Sequence, residues 1–351
     1  MNSNAMKSIK NILITGGAGF IGTNAVDYFL ARDHRVIIFD DLSRKGSAEN
    51  LSWVRRKWGR KVKFVRGDVA ADRTALAELV SKSDAVLHLA AQVAVTTSVQ
   101  DPHRDFMVNA HGTLNVLEAI RRSAKRPPLI YASTNKVYGN LGHTQVIATP
   151  RGYRYADVSA IAEHHPMDFH SPYGCSKGAA DQYVRDYARI YGLPTVVFRQ
   201  SCIYGPHQVG IEDQGWVAWF TIAASMGKPL TIYGDGQQVR DVLHVDDLNR
   251  LYGLALRRMD RVAGSVYNIG GGPKQAFSVL SAIDLLEQLL RRAIPRSFGS
   301  WRPGDQKVYI SDISKIQQDL GWEPKIGFKK GLGSLLRWVQ SEEKLLRRLV
   351  G

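Results

Sequence analysis

A tyrosine and a lysine stand four residues apart within residues 171–177, where a helical pattern begins. Side chains at positions i and i+4 share one face of a helix, so Tyr173 and Lys177 are predicted to lie side by side. An ammonium beside a phenol favours the phenolate and lowers a pKa that is ordinarily about 10. We therefore predict that Tyr173 acts as a general base on a substrate hydroxyl.

A hydroxyl-bearing stretch at residues 133–139 follows a short run of β-branched and apolar residues that predicts a strand. The carboxyl ends of parallel strands are where open α/β sheets bind their ligands. A hydroxyl from Ser133 or Thr134 is therefore expected to contact the reacting alcohol or sugar.

The glycine-rich stretch at residues 15–22 follows the first predicted strand and opens the first predicted helix. Glycines in that context permit a tight turn and let the backbone approach a pyrophosphate closely. Asp40 ends the next strand, where a carboxylate can bind ribose hydroxyls and would repel a 2′-phosphate. The pattern predicts a dinucleotide site that favours NAD over NADP, with Arg44 and Lys45 as nearby cations that could accommodate a phosphate.

Other cofactor contacts are predicted where the sheet would deliver side chains to the dinucleotide. Asp68 follows the third strand and could reach the adenine, residues 89–92 follow the fourth strand, and Asn109 is a buried amide that needs partners. The complete set of predicted cofactor-binding residues is Gly16, Gly19, Phe20, Ile21, Asp40, Asp41, Ser43, Arg44, Asp68, Val69, Leu89, Ala90, Gln92, Asn109, Tyr173 and Lys177.

These residues require a particular arrangement of strands and helices. Short apolar runs separated by helical patterns predict a doubly wound α/β domain with a parallel sheet covered on both faces. We expect a Rossmann-type NAD-binding domain over residues 6–204 and a smaller mixed α/β substrate lobe over residues 205–351, some of which returns to the first domain. The predicted strands are residues 11–15, 35–40, 62–66, 85–89, 129–132 and 193–199, and later helices are predicted near residues 214–225, 245–258, 277–291, 312–320 and 328–340.

Composition narrows the classes of function. The 351 residues are 44% hydrophobic and 23% charged, which is typical of a globular protein, and no apolar run is long enough to span a membrane. Cys175 and Cys202 are the two cysteines and lie in no metal-binding pattern, so no metal is expected. The net charge of +15 is scattered in short basic pairs, which argues against nucleic acid as a partner. We predict a cytoplasmic protein without a membrane partner.

Taken together, these motifs resemble the extended short-chain dehydrogenase/reductase family, and within it the nucleotide-sugar epimerases and dehydratases. The resemblance covers the chain from Ile12 to about residue 340. It implies that Thr134 is the catalytic hydroxyl, that Tyr173 and Lys177 are the catalytic pair, and that NAD stays tightly bound and is recycled. It also implies assembly as a homodimer or homotetramer.

A closer resemblance is to the group of CDP-tyvelose 2-epimerases, also called CDP-paratose 2-epimerases. It implies a CDP-sugar substrate that is contacted by Thr96, Asn135, Lys136, Gln208, Arg240 and Arg302. The 4,6-dehydratases of the family carry an Asp-Glu pair where this chain has Asn135 and Lys136. Many members carry Asn where this chain has Cys202, so the resemblance leaves a substrate contact at Cys202 open. The stretches that carry this resemblance are residues 41–46, 92–98, 133–139, 168–183, 213–217 and 238–244.

Two other functions remain open at this point. A UDP-hexose 4-epimerase would use the same Thr134, Tyr173 and Lys177 on a different sugar carbon, so the catalytic residues do not separate it from a 2-epimerase. A non-catalytic NAD-binding regulator is the other alternative. Retention of both the tyrosine and the lysine argues against that regulator.

Overall fold

The computed structural model describes residues 9–302 and 305–350, so the predicted domain start at residue 6 lies outside the described residues. Its strands are β1 (Asn11–Thr15), β2 (Arg35–Asp40), β3 (Val62–Arg66), β4 (Ala85–His88), β5 (Leu129–Thr134), β6 (Val146–Thr149), β7 (Gly152–Tyr155), β8 (Thr195–Gln200), β9 (Cys202–Tyr204), β10 (Leu230–Tyr233), β11 (Val239–His244), β12 (Val266–Ile269), β13 (Ala276–Ser278), β14 (Arg296–Gly299) and β15 (Val308–Tyr309). Its helices are α1 (Phe20–Leu30), α2 (Ser47–Trp58), α3 (Arg73–Ser81), α4 (Val95–Gln100), α5 (Pro102–Phe106), α6 (Gly112–Arg122), α7 (Ser171–Tyr191), α8 (Trp216–Ser225), α9 (Val245–Arg257), α10 (Met259–Val262), α11 (Val279–Leu290), α12 (Ser314–Leu320), α13 (Phe328–Ser341) and α14 (Glu343–Val350).

Seven strands form one parallel sheet in the order β12, β8, β5, β4, β1, β2, β3. Successive side chains point to opposite faces of the sheet, so Ile12 and Ile14 of β1 join one apolar cluster while Leu13 joins another. Both faces are therefore buried, as the near-continuous apolar strands predict. The predicted doubly wound α/β fold is confirmed. Strand β12, which sequence patterning did not indicate, comes from the second half of the chain and pairs with β8.

The second half of the chain otherwise builds a smaller mixed α/β region. Strand β11 pairs with β9 and β15 in parallel and with β13 in antiparallel orientation. Helices α8, α11 and α13 enclose their own apolar cluster, which includes Ile222, Ile283 and Leu335. Helix α11 begins at Val279 because the preceding residues pair with β11 and the Ser278 hydroxyl accepts a hydrogen bond from the Ser281 N–H.

The long connection at residues 140–170 leads into α7. It contains the β6–β7 hairpin and packs Tyr155 and Ile161 against Tyr309 of the smaller region. Helix α7 then begins at Ser171, whose φ of 68° lies in the left-handed region that non-glycine residues rarely adopt. Such strain persists only where the surroundings hold it, and here it sets the direction of the helix that carries Tyr173 and Lys177.

Candidate active site

The predicted catalytic residues lie together at the carboxyl end of the parallel sheet. Thr134 ends β5, Tyr173 lies in the first turn of α7, and Lys177 follows one turn later. All three side chains are buried. The Lys177 Nζ donates a hydrogen bond to the Ala132 carbonyl oxygen at 2.6 Å, and the Ser98 hydroxyl accepts one from the Tyr173 backbone N–H at 3.1 Å. The helix turn is therefore tied both to β5 and to α4.

Burial dominates the protonation of the catalytic pair. Burial raises the pKa of Tyr173 to about 12, against the opposing effect of the Thr134 hydroxyl and of Arg44. Burial also lowers the pKa of Lys177 to about 7, although Asp181 and Asp105 favour its charged form. The expected lowering of the Tyr173 pKa by Lys177 is thus wrong for the protein groups alone: desolvation of the phenolate outweighs the effect of Thr134 and Arg44, and Lys177 does not contribute to the shift. A low-pKa phenol at this position needs further positive charge.

A buried ion pair supports this centre from behind. Asp181 lies one turn beyond Lys177 on α7 and accepts two hydrogen bonds from the Arg199 guanidinium, at 2.9 and 3.0 Å. The hydroxyl of Ser133 donates to the same carboxylate at 2.8 Å. Arg199 also donates to the Tyr138 hydroxyl oxygen at 2.9 Å. The residue before Thr134 and the helix of Tyr173 are therefore held by one charged network, which sequence spacing did not reveal.

The glycine turn has the geometry that a dinucleotide requires. Gly16 has a φ of 68°, and a Cβ added there would lie 2.6 Å from the Ala90 backbone nitrogen. Gly19 caps the amino end of α1, whose first residues Phe20 and Ile21 are partly exposed. Backbone N–H groups at a helix start attract a phosphate, and only glycine fits so close a turn.

Asp40 connects this turn to the end of β2. Its carboxylate accepts hydrogen bonds from the Ala18 N–H at 3.0 Å and the Leu42 N–H at 2.8 Å. Burial raises its pKa, whereas these two hydrogen bonds lower it. Each carboxylate oxygen has a further lone pair, so the residue keeps the capacity to accept ribose hydroxyls.

The predicted adenine side contains a cation that sequence analysis missed. Arg104 on α5 reaches Asp68 at 2.8 Å and Asp41 at 3.4 Å, and so joins the ends of two strands. The Ser43 hydroxyl donates to Asp41 at 2.7 Å. Val69 is buried in the core beside this group. The signal for Arg104 is weak in the sequence, because its partners lie far away along the chain.

Asn109 lies in a single wide helical turn, Met107–His111, between α5 and α6. Its amide donates to the Gln92 carbonyl at 3.0 Å and accepts from the Gln92 N–H at 2.9 Å. It also donates to Asp105 and to Ser176 of α7. The amide thus fixes the backbone that follows Leu89 and Ala90, which are partly exposed, and ties it to the catalytic helix. The partners that this buried amide was expected to need are all protein groups.

The Arg44 side chain reaches from the loop after β2 to the segment before α8. Its guanidinium donates to the Gln214 side-chain oxygen and lies near enough to Tyr173 to oppose the rise in that tyrosine's pKa. Burial lowers the pKa of Arg44. Lys45 is exposed. Arg44 therefore connects the cofactor domain to the segment before α8 and does not point away toward solvent.

Three of the predicted substrate residues meet near the reacting centre. Asn135 is buried beside Thr134, and burial together with the charge of Arg240 lowers the pKa of Lys136 to about 8. Arg240 donates to Asp305 at 2.8 Å and is itself buried. The Cys202 thiol belongs to the same group: burial raises its pKa, while Arg240 and Lys136 lower it. Asp305 is the partner that sequence analysis missed.

The remaining predicted substrate residues are more dispersed. The amide of Gln208 is buried, and its Oε1 has no hydrogen-bond partner among the described residues. Arg302 donates to the Glu212 carbonyl at 3.1 Å, contacts Asp213 at 3.1 Å and stacks on Tyr233. Thr96 is exposed on α4. Within residues 9–302 and 305–350, no cluster of three or more His, Cys, Asp or Glu side chains could hold a metal ion, and no helix could span a membrane.

A parallel sheet with a glycine turn, an acid at the end of β2 and a buried Thr, Tyr and Lys defines a Rossmann-type dehydrogenase site. The family model for GDP-mannose 4,6 dehydratase matches residues 13–335. The chain belongs to this family of extended short-chain dehydrogenases/reductases, and the predicted family is confirmed.

Similar proteins and solved structures, which are nucleotide-sugar epimerases and dehydratases, agree with this assignment. The chain is 43% identical to CDP-paratose 2-epimerase of Salmonella typhi, over 94% of this chain and 99% of the relative. It is similar to the crystal structure of UDP-glucose 4-epimerase with UDP-glucose from Thermotoga maritima, with a TM-score of 0.83 and 32% identity over 95% of this chain and 99% of the other. It is equally similar to dTDP-glucose 4,6-dehydratase from Streptomyces venezuelae with NAD and TYD bound, with a TM-score of 0.83 and 30% identity over 97% and 99% of the two chains.

These findings establish the coarser level of function. The chain is an NAD-dependent enzyme of the isomerase class, and its relatives support a nucleotide sugar as the substrate. The predicted cofactor is therefore confirmed. The roles of individual residues stay predictions.

Proposed function

We propose that this enzyme interconverts CDP-paratose and CDP-tyvelose by epimerisation at C2 of the 3,6-dideoxyhexose. The observation that carries the proposal is the pair Asn135 and Lys136 next to Thr134. An amide and an amine can bind sugar oxygens, but they cannot supply the carboxylic acid and carboxylate that a 4,6-dehydratase needs to eliminate water across C5 and C6 of the sugar. The 43% identity to CDP-paratose 2-epimerase supports the same choice.

The residues of the glycine turn fit a dinucleotide. Gly16, the start of α1 and Asp40 would hold the pyrophosphate and the ribose. NAD+ bound there would supply a hydride acceptor for C2 and a positive charge that favours the buried Tyr173 phenolate.

Residues of the chain itself would carry out the proton transfers. Tyr173 removes the proton from the C2 hydroxyl as the C2–H bond is broken, which leaves a 2-keto sugar. Thr134 donates a hydrogen bond to the same oxygen, and the Lys177 ammonium stabilises the phenolate. Once the keto sugar has presented its other face and C2 has been reduced again, Tyr173 would give the proton back to the oxygen. Configuration at C2 is inverted without net oxidation, so NAD is expected to remain bound.

Three cations complete the proposed substrate site. Arg240 and Lys136 lie within range of each other's charge and can attract a diphosphate, with Arg302 at a second position. Gln208 offers a buried amide that lacks a partner for its oxygen among the described residues. Thr96 and Asn135 are proposed sugar contacts.

The direct test is proton NMR of the sugar H1 and H2 signals during incubation with CDP-paratose, without added NAD. Conversion to CDP-tyvelose is expected, and the Tyr173→Phe variant is the matched control. The competing function is a UDP-hexose 4-epimerase, for which the similarity to UDP-glucose 4-epimerase is the specific observation. Conversion of UDP-glucose to UDP-galactose, with CDP-paratose unchanged even after NAD is added, would replace the 2-epimerase proposal.

The wider setting forms part of the same proposal and rests on resemblance to the family. We propose a cytoplasmic homodimer or homotetramer that supplies a dideoxyhexose for a bacterial lipopolysaccharide O-antigen. Light scattering of the purified enzyme would measure its mass, and a monomer at working concentration would contradict the assembly.

A further inference from the structure

A cavity of about 400 Å³ lies away from the cofactor cleft. Its walls come from the middle of α7, the end of β8, the start of β12, the start of α12 and the long connection before α7. Arg185 of the wall follows Tyr173 by twelve residues on α7, which is about 18 Å along the helix axis. None of the predicted cofactor or substrate residues lines it. The lining consists of Arg185, Arg199, Lys315, Glu163, His164 and residues 264–266.

The wall carries an excess of positive charge. Three side chains, Arg185, Arg199 and Lys315, are cations, and Glu163 is the one carboxylate that lines the described cavity. The charge of Arg199 is balanced from behind by the buried Asp181. That leaves two cations facing one carboxylate.

Arg185 and Lys315 both have hydrogen-bond donors that no described residue uses. The buried Nε of Arg185 has no partner among the described residues, and the same guanidinium makes one hydrogen bond, from Nη1 to the Gln182 oxygen at 3.1 Å. Burial and the charges of Arg189 and Arg199 lower the pKa of Arg185. Lys315 Nζ donates to the Val266 carbonyl at 2.7 Å, which leaves two of its three protons for another acceptor. Arg185 as a whole is half-buried, and a partly desolvated guanidinium with an unused donor is stabilised by an anion.

Glu163 lines the same cavity, close enough to Lys315 for their charges to interact. Its Oε1 accepts a hydrogen bond from the Asn268 N–H at 2.7 Å, and burial raises its pKa. A carboxyl group in this position can bind a hydroxyl of a ligand whose anionic end lies at the arginines. The volume exceeds that of a single phosphate and falls in the range of small-molecule sites, whereas the polar wall does not suit an apolar ligand.

We propose that this cavity, which we call the distal pocket, binds the phosphoryl group of a small hydroxylated metabolite through Arg185 and Lys315. Free phosphate and a sugar phosphate share this chemistry. Contact between Glu163 and a hydroxyl would make the sugar phosphate the tighter ligand. The site is separate from the proposed diphosphate site at Arg240.

Calorimetric titration of the holoenzyme tests the distal pocket, with NAD and CDP at saturation so that the cofactor and substrate sites are filled. The probes are inorganic phosphate, glucose 1-phosphate and citrate. Glucose 1-phosphate is expected to bind at one site per chain, more tightly than phosphate. Arg185→Met and Lys315→Met should each weaken binding by about tenfold or more, since each removes a charged hydrogen bond.

Two matched variants keep the result specific. Arg189→Met removes an exposed cation one turn further along α7 and should change the affinity by less than about threefold. Arg240→Met should leave the titration unchanged. The proposal is overturned if neither phosphate binds, if Arg185→Met binds as tightly as the parent, if Arg240→Met abolishes the signal, or if citrate alone binds. Equal thermal unfolding temperatures of parent and variants establish that the altered proteins are folded.

Discussion

The two sides of the active-site cleft differ in how completely their polar groups are paired. The catalytic centre, formed by Thr134, Tyr173 and Lys177, is backed by protein partners such as the Arg199–Asp181 ion pair. The substrate face, formed by Lys136, Cys202, Gln208 and Arg240, contains a buried amide oxygen without a partner among the described residues and an amine whose pKa is lowered by burial and by Arg240.

This difference has a functional meaning. A network of ion pairs and hydrogen bonds holds catalytic groups in position before any ligand arrives, which keeps the cost of reorganisation low. A face with unused hydrogen-bonding capacity gains its partners from the ligand, so its residues decide which ligand is accepted. One catalytic centre can therefore serve relatives that act on different nucleotide sugars, while the facing residues change.

Removal of the reacting phenol should have the largest effect on turnover. Tyr173→Phe is expected to lower kcat by about 10² to 10⁴, because general acid–base catalysis contributes that much. NAD content after purification, measured by absorbance and by release on denaturation, should be unchanged. A variant that still turns over at the parent rate would remove Tyr173 from its assigned role.

The two ion pairs provide a direct comparison of the two sides. Asp181→Ala leaves the buried Arg199 uncompensated and should cost about 3 to 5 kcal/mol in the free energy of unfolding. Asp305→Ala removes the partly exposed partner of Arg240 and should cost less, about 1 to 3 kcal/mol. Urea denaturation measures both values. Equal decreases in the free energy of unfolding of the two variants would show that the two ion pairs contribute equally to stability.

Lys136 should make substrate capture depend on pH. Burial and the charge of Arg240 lower its pKa to about 8, so it is an ammonium below that pH and a neutral amine above it. The ammonium attracts the diphosphate, and kcat/KM is therefore expected to fall as the pH rises through about 8. Arginine stays charged, so kcat/KM of Lys136→Arg should no longer fall as the pH rises through about 8. Lys136→Met should lower kcat/KM about tenfold at pH 7. If kcat/KM of Lys136→Arg still falls through pH 8, the pH dependence belongs to another group.

Cys202 should give the smallest effect. Burial raises its pKa, so the thiol is neutral at working pH and cannot act as a nucleophile. Cys202→Ser should change kcat/KM by less than about tenfold. A larger loss would identify Cys202 as a substrate contact that is as important as Lys136.

Sequence patterns were sufficient where a function depends on neighbours along the chain. The glycine turn at residues 15–22, the acid at Asp40 and the four-residue spacing of Tyr173 and Lys177 each follow from local geometry. Six of the seven strands of the large sheet were also predicted from their apolar runs. Strand β12 was missed because a four-residue segment that contains a polar Asn268 carries little periodicity and no information about its pairing partner.

Interactions between distant parts of the chain were beyond this kind of prediction. Arg104 joins Asp41 and Asp68 across three separate segments, and Arg199 and Ser133 reach Asp181 from two other strands. Burial reverses the expected direction of the Tyr173 pKa, and burial depends on every element packed around the residue. Short-range backbone geometry thus follows from the order of amino acids, whereas charge pairing and desolvation arise only when remote segments pack together.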